Sequence, residues 1–235
     1  MTKGRLFRLI TSGAFVCAQL VLFALFVAED FGGAQLGSNE GLKYAIVCLS
    51  FAFSTLGFVE GKRSKAKLVD ATLLALGLAL TAVSDWFLLV TGTHYEIGVT
   101  IFILAQLCHA ARIERGRVWR IVAMLLRVVL PAVGIVVALS LGEGDALILL
   151  VIVYFVQLVL NFGENLVKCF GKSKRERQVA ILLSVGFLLF IGCDICVGLS
   201  NLFDGMANAL IWLFYAPSQT LIALSCWRSY EKSPD

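Results

Sequence analysis

Apolar stretches long enough to cross a bilayer recur along the whole chain, and the connections between them are short. About 30 Å of hydrocarbon takes roughly 20 residues of helix. Stretches near that length run over Phe7–Ala28, Lys43–Val59, Leu68–Val90, Glu96–Ile113, Val118–Leu141, Ala146–Gly163, Gln178–Leu199 and Asn208–Trp227. Within lipid a segment must satisfy its own backbone hydrogen bonds, so runs of this length are read as helices. The expected fold class is all-α: a polytopic membrane protein, an eight-helix transmembrane bundle forming a single integral membrane domain over residues 1–235. Composition agrees, with 59% hydrophobic residues, 15% charged and a mean hydropathy of +0.89, far from the averages of soluble domains. Eight spans leave no room for a soluble domain. Any binding or catalytic site must then lie within or between the helices.

Charge sets the expected orientation. Basic residues gather at Lys3, Arg5 and Arg8, at Lys62, Arg63, Lys65 and Lys67, and at Arg112, Arg115, Arg117 and Arg120. They gather again at Lys168, Lys172, Lys174, Arg175 and Arg177, then at Arg228 and Lys232, so that alternate connections hold 18 of the 20 Lys and Arg. The intervening connections carry Glu29, Asp30, Glu40, Glu96, Glu143, Asp145 and Asp204. The positive-inside rule puts both termini in the cytoplasm, and a bacterial plasma membrane is the expected location. The net charge of +4 is then a matter of topology and anionic lipid headgroups; no nucleic-acid partner is implied. The first helix follows its basic residues as a signal peptide would. Its apolar run is too long, however, and lacks a small-x-small cleavage site, so it reads as a retained anchor. Seven cysteines lie in or beside the helices and outline no disulfide framework.

Against this apolar background, Asp85 (in Thr81-Ala-Val-Ser-Asp85-Trp) and Asp194 (in Ile191-Gly-Cys-Asp194-Ile-Cys) stand out. A carboxylate in the bilayer costs roughly 3 kcal/mol, so such residues are kept where they act. Each falls about 16 residues into a helix of the same direction, roughly 24 Å from its start at 1.5 Å per residue. Facing one another at one depth, across an interior cavity, is the expected arrangement. Other polar residues share helix faces through i, i+3 and i+4 spacing: Thr81, Ser84 and Asp85; Gln106 and His109; Tyr154, Gln157 and Asn161; Tyr215, Ser218 and Gln219. Lipid rejects such stripes, which should point inward. Arg127 needs an internal partner, either an aspartate or a lipid phosphate. Pro131, four residues on, frees the Arg127 carbonyl because proline has no N–H to give it. A weak four-plus-four repeat is also visible, since Asp85 precedes Ala105-Gln106 and Asp194 precedes Ser218-Gln219 at similar offsets.

These residues carry a resemblance. Gly186-x3-Phe190-x2-Cys193-Asp194, Tyr215-x3-Gln219-x-Leu221-Ile222 and Ser84-Asp85-x2-Leu88-Leu89, followed by Gly98-x3-Phe102, are similar to motifs of the YhhN family of eight-helix membrane proteins. Lysoplasmalogenases belong to that family. The chain departs from it where the family reads Ala-His-x2-Tyr and this sequence reads Ala105-Gln106-Leu107-Cys108-His109: the histidine falls on Gln106 and the tyrosine on His109.

The resemblance implies hydrolysis of the vinyl ether of lysoplasmalogens, with a lysophospholipid as substrate and membrane lipids as surroundings. The residues suit that reaction. Protonation of the alkene carbon gives an oxocarbenium ion, water adds, and the hemiacetal collapses to a fatty aldehyde. An acid is needed on one side and a base or anion on the other, much as two carboxyls flank the glycosidic transition state. Asp85 and Asp194 are the candidate catalytic pair, with the acid and base roles unassigned because a coupled pair titrates as one. Gln106, His109, Arg127, Tyr154, Gln157, Tyr215 and Gln219 are the candidate substrate-binding residues. No G-x-S-x-G or H-E-x-x-H element competes, and no metal or cofactor is expected. Two other readings fit the same residues: a proton-coupled transporter, and a catalytically silent lipid-binding homologue.

Overall fold

The computed structural model describes residues 3–32, 39–61, 65–113, 117–171, 174–200 and 206–229. Its helices are α1 (Lys3–Gly32), α2 (Asn39–Ser54), α3 (Leu56–Gly61), α4 (Lys65–Asp85), α5 (Tyr95–Ala111), α6 (Arg117–Ser140), α7 (Ala146–Lys168), α8 (Lys174–Ser200) and α9 (Met206–Leu224). Among the described residues seven helical spans are long and apolar enough to cross a membrane, and α5, with 17 residues, is a shorter apolar helix between two of them. At 1.5 Å per residue α5 still covers roughly 25 Å. This is an integral membrane protein built as a polytopic helical bundle.

Two expected helices change form along their length. The run starting near Lys43 breaks at Thr55, whose Oγ1 donates to the Ala52 carbonyl at 2.7 Å. A threonine hydroxyl can compete in this way with the helical ladder, and the chain restarts as the short α3. The run through Asp85 leaves α geometry at that residue and continues as a π-helical turn over Trp86–Thr91. Gly92 closes the turn at φ 58°, a left-handed conformation that costs glycine nothing. At the start of α7, Asp145 caps the helix by accepting from the Leu147 and Ile148 amides at 2.7 and 3.3 Å.

Contacts between distant residues define two ends of the bundle. At the basic end, Trp227 Nε1 donates to Ser12 Oγ at 2.7 Å, and Arg112 pairs with Asp70 at 3.1 Å. At the acidic end, Lys43 pairs with Asp30 at 3.1 Å, and Tyr44 packs edge-on to Trp86. The core between them is apolar and aromatic, with Phe26, Leu74, Leu78, Leu158, Phe187, Phe190 and Ile222 almost wholly enclosed. Gly186 lets α8 and α9 approach closely: a Cβ there would sit 3.1 Å from Ile222 Cγ1 and 3.5 Å from the Ser218 carbonyl. By contrast α6 is peripheral. It packs on α7 and exposes Val118, Trp119, Met124, Leu125, Val128, Val133 and Val136, a surface suited to lipid.

Candidate active site

Both aspartates reach the same level near the acidic end, each twenty residues beyond the first residue of its helix (Lys65 in α4, Lys174 in α8). Tyr154 in α7 and Tyr215 in α9 enter that level from the opposite direction, eight and nine residues into their helices. Tyr215 Oη donates to Asp85 Oδ2 at 2.7 Å, and Tyr154 Oη donates to Asp194 Oδ2 at 2.8 Å. The carboxyls are near enough for Asp194 to act electrostatically on Asp85. Phe190 lies among them, its ring 5.2 Å from Tyr215, 6.4 Å from Tyr154 and 5.9 Å from Phe102. Four helices and an aromatic filler thus hold two Tyr–Asp pairs together. The pairs are unequal: Asp85 is buried at 6% exposure, whereas Asp194 keeps an intermediate accessible surface.

The four polar stripes do point inward, since all eleven of their residues are buried. They do not form one network. Toward the basic end a second cluster is built on Arg127. Its Nη1 donates to Gln157 Oε1, and its Nη2 donates to Asn161 Oδ1 and to Glu164 Oε1, each at 2.8 Å. The ion partner is therefore Glu164, and not either aspartate as weighed from the sequence. Gln157, Asn161 and Glu164 follow Tyr154 by three, seven and ten residues, so the guanidinium sits roughly 5–15 Å below the aspartate level at 1.5 Å per residue. The carbonyl freed by Pro131 is satisfied here too, because Gln157 Nε2 donates to the Arg127 oxygen at 2.9 Å. Asn161 Nδ2 in turn donates to the backbone and side-chain oxygens of Gln106, both at 2.9 Å. Gln106 and Gln157 are thus parts of the Arg127 cluster.

His109 occupies a third place. Its ring packs against the backbone of α4 at Gly77, where a Cβ would meet the imidazole at 3.0 Å. Phe187 closes edge-on at 5.6 Å, and the Arg112 charge acts on the ring. Seven residues beyond Phe102 on α5, it stands roughly 10 Å from the aspartate level. Gln219 lies one turn past Tyr215, fully enclosed, and neither end of its amide has a partner among the described residues.

Sequence reading missed that the two tyrosines hold the aspartates rather than only lining a substrate path. The spacing carried a signal: Tyr154 and Tyr215 head the stripes of α7 and α9 at the depth of the carboxyls. It also missed Glu164, which extends the Tyr154–Gln157–Asn161 stripe by a further three residues.

A membrane-embedded bundle holding a tyrosine-held pair of acids at one level, one of them buried, defines the class of protein. The chain belongs to the YhhN family, whose family model matches residues 41–226, from α2 to just beyond the end of α9. That span contains both aspartates and both tyrosines. Comparison with curated proteins and with solved structures gives no match.

Proposed function

We propose that the protein hydrolyses the vinyl ether of lysoplasmalogens in a bacterial plasma membrane, with both termini cytoplasmic and the aspartate level toward the outer leaflet. The observation that supports this most directly is the pair of carboxyls at one depth, each held by a tyrosine hydroxyl. One carboxyl delivers its proton to the alkene carbon distal to the ether oxygen, converting the C=C into an oxocarbenium ion. The other carboxyl, as an anion, stabilises that cation and takes a proton from the water that adds to it. The hemiacetal then breaks its C–O bond: the first carboxyl, now an anion, takes the proton of the hemiacetal hydroxyl, and the second delivers its proton to the departing oxygen, so that a fatty aldehyde is released and the glycerophospho-headgroup regains a hydroxyl. Overall one water is consumed and both carboxyls regain their starting states. Positioned proton transfer of this kind contributes about 10²–10⁴-fold. The tyrosines fix the carboxyl orientations and so keep the acid and the anion on opposite sides of the reacting carbons.

A second reading is favoured by Gln106. The family's histidine position is here a glutamine tied to Asn161, and His109 one turn away does not touch the aspartates. A lipid-binding relative without catalysis accounts for that substitution. Purified protein in detergent, assayed for aldehyde release from a 1-alkenyl lysophosphoethanolamine, separates the two. Turnover abolished in Asp85→Asn and Asp194→Asn supports the hydrolase; an inert wild type that still binds the lipid supports the silent homologue.

A further inference from the structure

Of the 20 Lys and Arg, 18 lie in the basic connections and Arg127 lies within α6; the remaining one is Lys43, near the start of α2 at the acidic end. It is not a solvated surface lysine, for only 9% of it is exposed. The ammonium meets Asp30 of α1 at 3.1 and 3.3 Å and lies over the rings of Phe26 (5.8 Å) and Trp212 (5.7 Å). Asn39 donates to the same Asp30 carboxylate and orients it. Carboxylate and aromatic faces together stabilise a cation withdrawn from water. Two contacts link this place to the aspartates. Trp212 packs on Tyr215 at 5.2 Å, and Tyr215 holds Asp85. Tyr44, the next residue after Lys43, packs on Trp86, the next residue after Asp85, at 5.7 Å.

We propose that Lys43 is the anchor for the phosphate of the lipid substrate and a determinant of specificity for phosphorylated lysolipids. The inference rests on the vinyl-ether reading above. In a lysoplasmalogen only a glycerol backbone separates the phosphate from the alkenyl oxygen, so the phosphate must be bound beside the aspartates. Lys43 is joined to Asp85 through Trp212 and Tyr215; the Arg127 cluster lies a turn or more toward the basic end and is engaged by Glu164. An ammonium carries three donors. Asp30 is its acceptor among the described residues, and donor capacity remains for a phosphate oxygen. Asp30, Phe26 and Trp212 hold the cation in place before substrate arrives, which lowers the ordering cost of binding.

The test compares two substrates, a 1-alkenyl lysophosphoethanolamine and the phosphate-free 1-alkenylglycerol, as the ratio of their kcat/KM values. Taking this ratio cancels differences in the amount of folded enzyme. Because Lys43→Met alone strands the Asp30 charge, the variant used is Lys43→Met with Asp30→Asn, beside Lys43→Arg. The expected result is a ratio reduced at least tenfold in the double variant, through KM, and largely kept in Lys43→Arg. An unchanged ratio in the double variant overturns the proposal. Should the wild type release aldehyde from neither substrate, the hydrolase reading fails. The anchor is then judged by binding of the saturated 1-alkyl lysophosphoethanolamine: at least tenfold weaker binding by the double variant upholds it, and equal binding overturns it.

Discussion

Replacing Arg127 by methionine distinguishes a phosphate-gripping residue from a clamp between helices. The structure assigns it three side-chain acceptors at 2.8 Å, all on α7, and one of them is the Glu164 carboxylate. Interhelical polar contacts inside membranes average about 0.6 kcal/mol each and reach about 1.7, so three contribute roughly 2–5 kcal/mol. Breaking a buried ion pair by removing one partner costs about 3–5 kcal/mol. Glu164 keeps 20% side-chain exposure, which discounts that figure toward its lower end. We expect Arg127→Met to lose about 3 kcal/mol, a fall in Tm of roughly 6–12 °C for a chain of this size. Replacing Glu164 by methionine as well removes the stranded charge and should recover much of the loss. The assay is thermal unfolding in detergent followed by intrinsic fluorescence, paired with KM for aldehyde release from the surviving folded protein. KM should stay within about twofold. A Tm within a degree or two of wild type, together with a tenfold rise in KM, would refute the clamp and restore the phosphate role.

Three further outcomes are expected. Asp85→Asn and Asp194→Asn should each abolish aldehyde release while eluting as folded protein in size exclusion; near-normal rates in both would make the aspartates structural. Tyr215→Phe and Tyr154→Phe each remove one hydrogen bond to a carboxyl, worth about 1.5–3 kcal/mol when the acceptor is charged, so kcat should fall roughly 10- to 150-fold with little change in KM; unaltered kcat sinks the positioning role. In a background with the native cysteines replaced, a cysteine at Thr93 should react with an impermeant thiol reagent in intact cells, and one at Phe170 only after permeabilisation. The opposite pattern inverts the orientation.

The bundle was legible in the sequence because lipid imposes one rule on every span. Runs of apolar residues of fixed length, with basic residues in alternate connections, placed the helix ends within a few residues. Inward orientation of the stripes was legible for the same reason: Thr81, Ser84, Asn161 and Ser218 are polar where lipid would penalise them, and all are buried. Partnership was not legible. Arg127 has candidate acids on several helices, and the selection of Glu164 depends on α6 packing against α7, a tertiary fact without a trace in periodicity. Lys43 passed as a helix boundary because its significance lies in what α1 and α9 bring over it. The break at Thr55 and the π-helical turn were likewise hidden, since an apolar run reads the same through either.

That turn has a consequence for the two halves of the chain. Up to the aspartates, α4 and α8 keep the same count, but α8 continues as α-helix to Ser200 while α4 takes on a wider coil at Trp86. A π-helical coil closes i→i+5 hydrogen bonds and is wider than the α-helix, so each of its residues turns less than the roughly 100° of a 3.6-residue turn. Along Trp86–Thr91 the side chains therefore fall progressively out of phase with those that follow Asp194, and Trp86 at the start of the turn packs on Tyr44. Two carboxyls that look interchangeable when read along the chain thus open onto different neighbourhoods. Returning the turn to α geometry would realign the halves and erase that distinction.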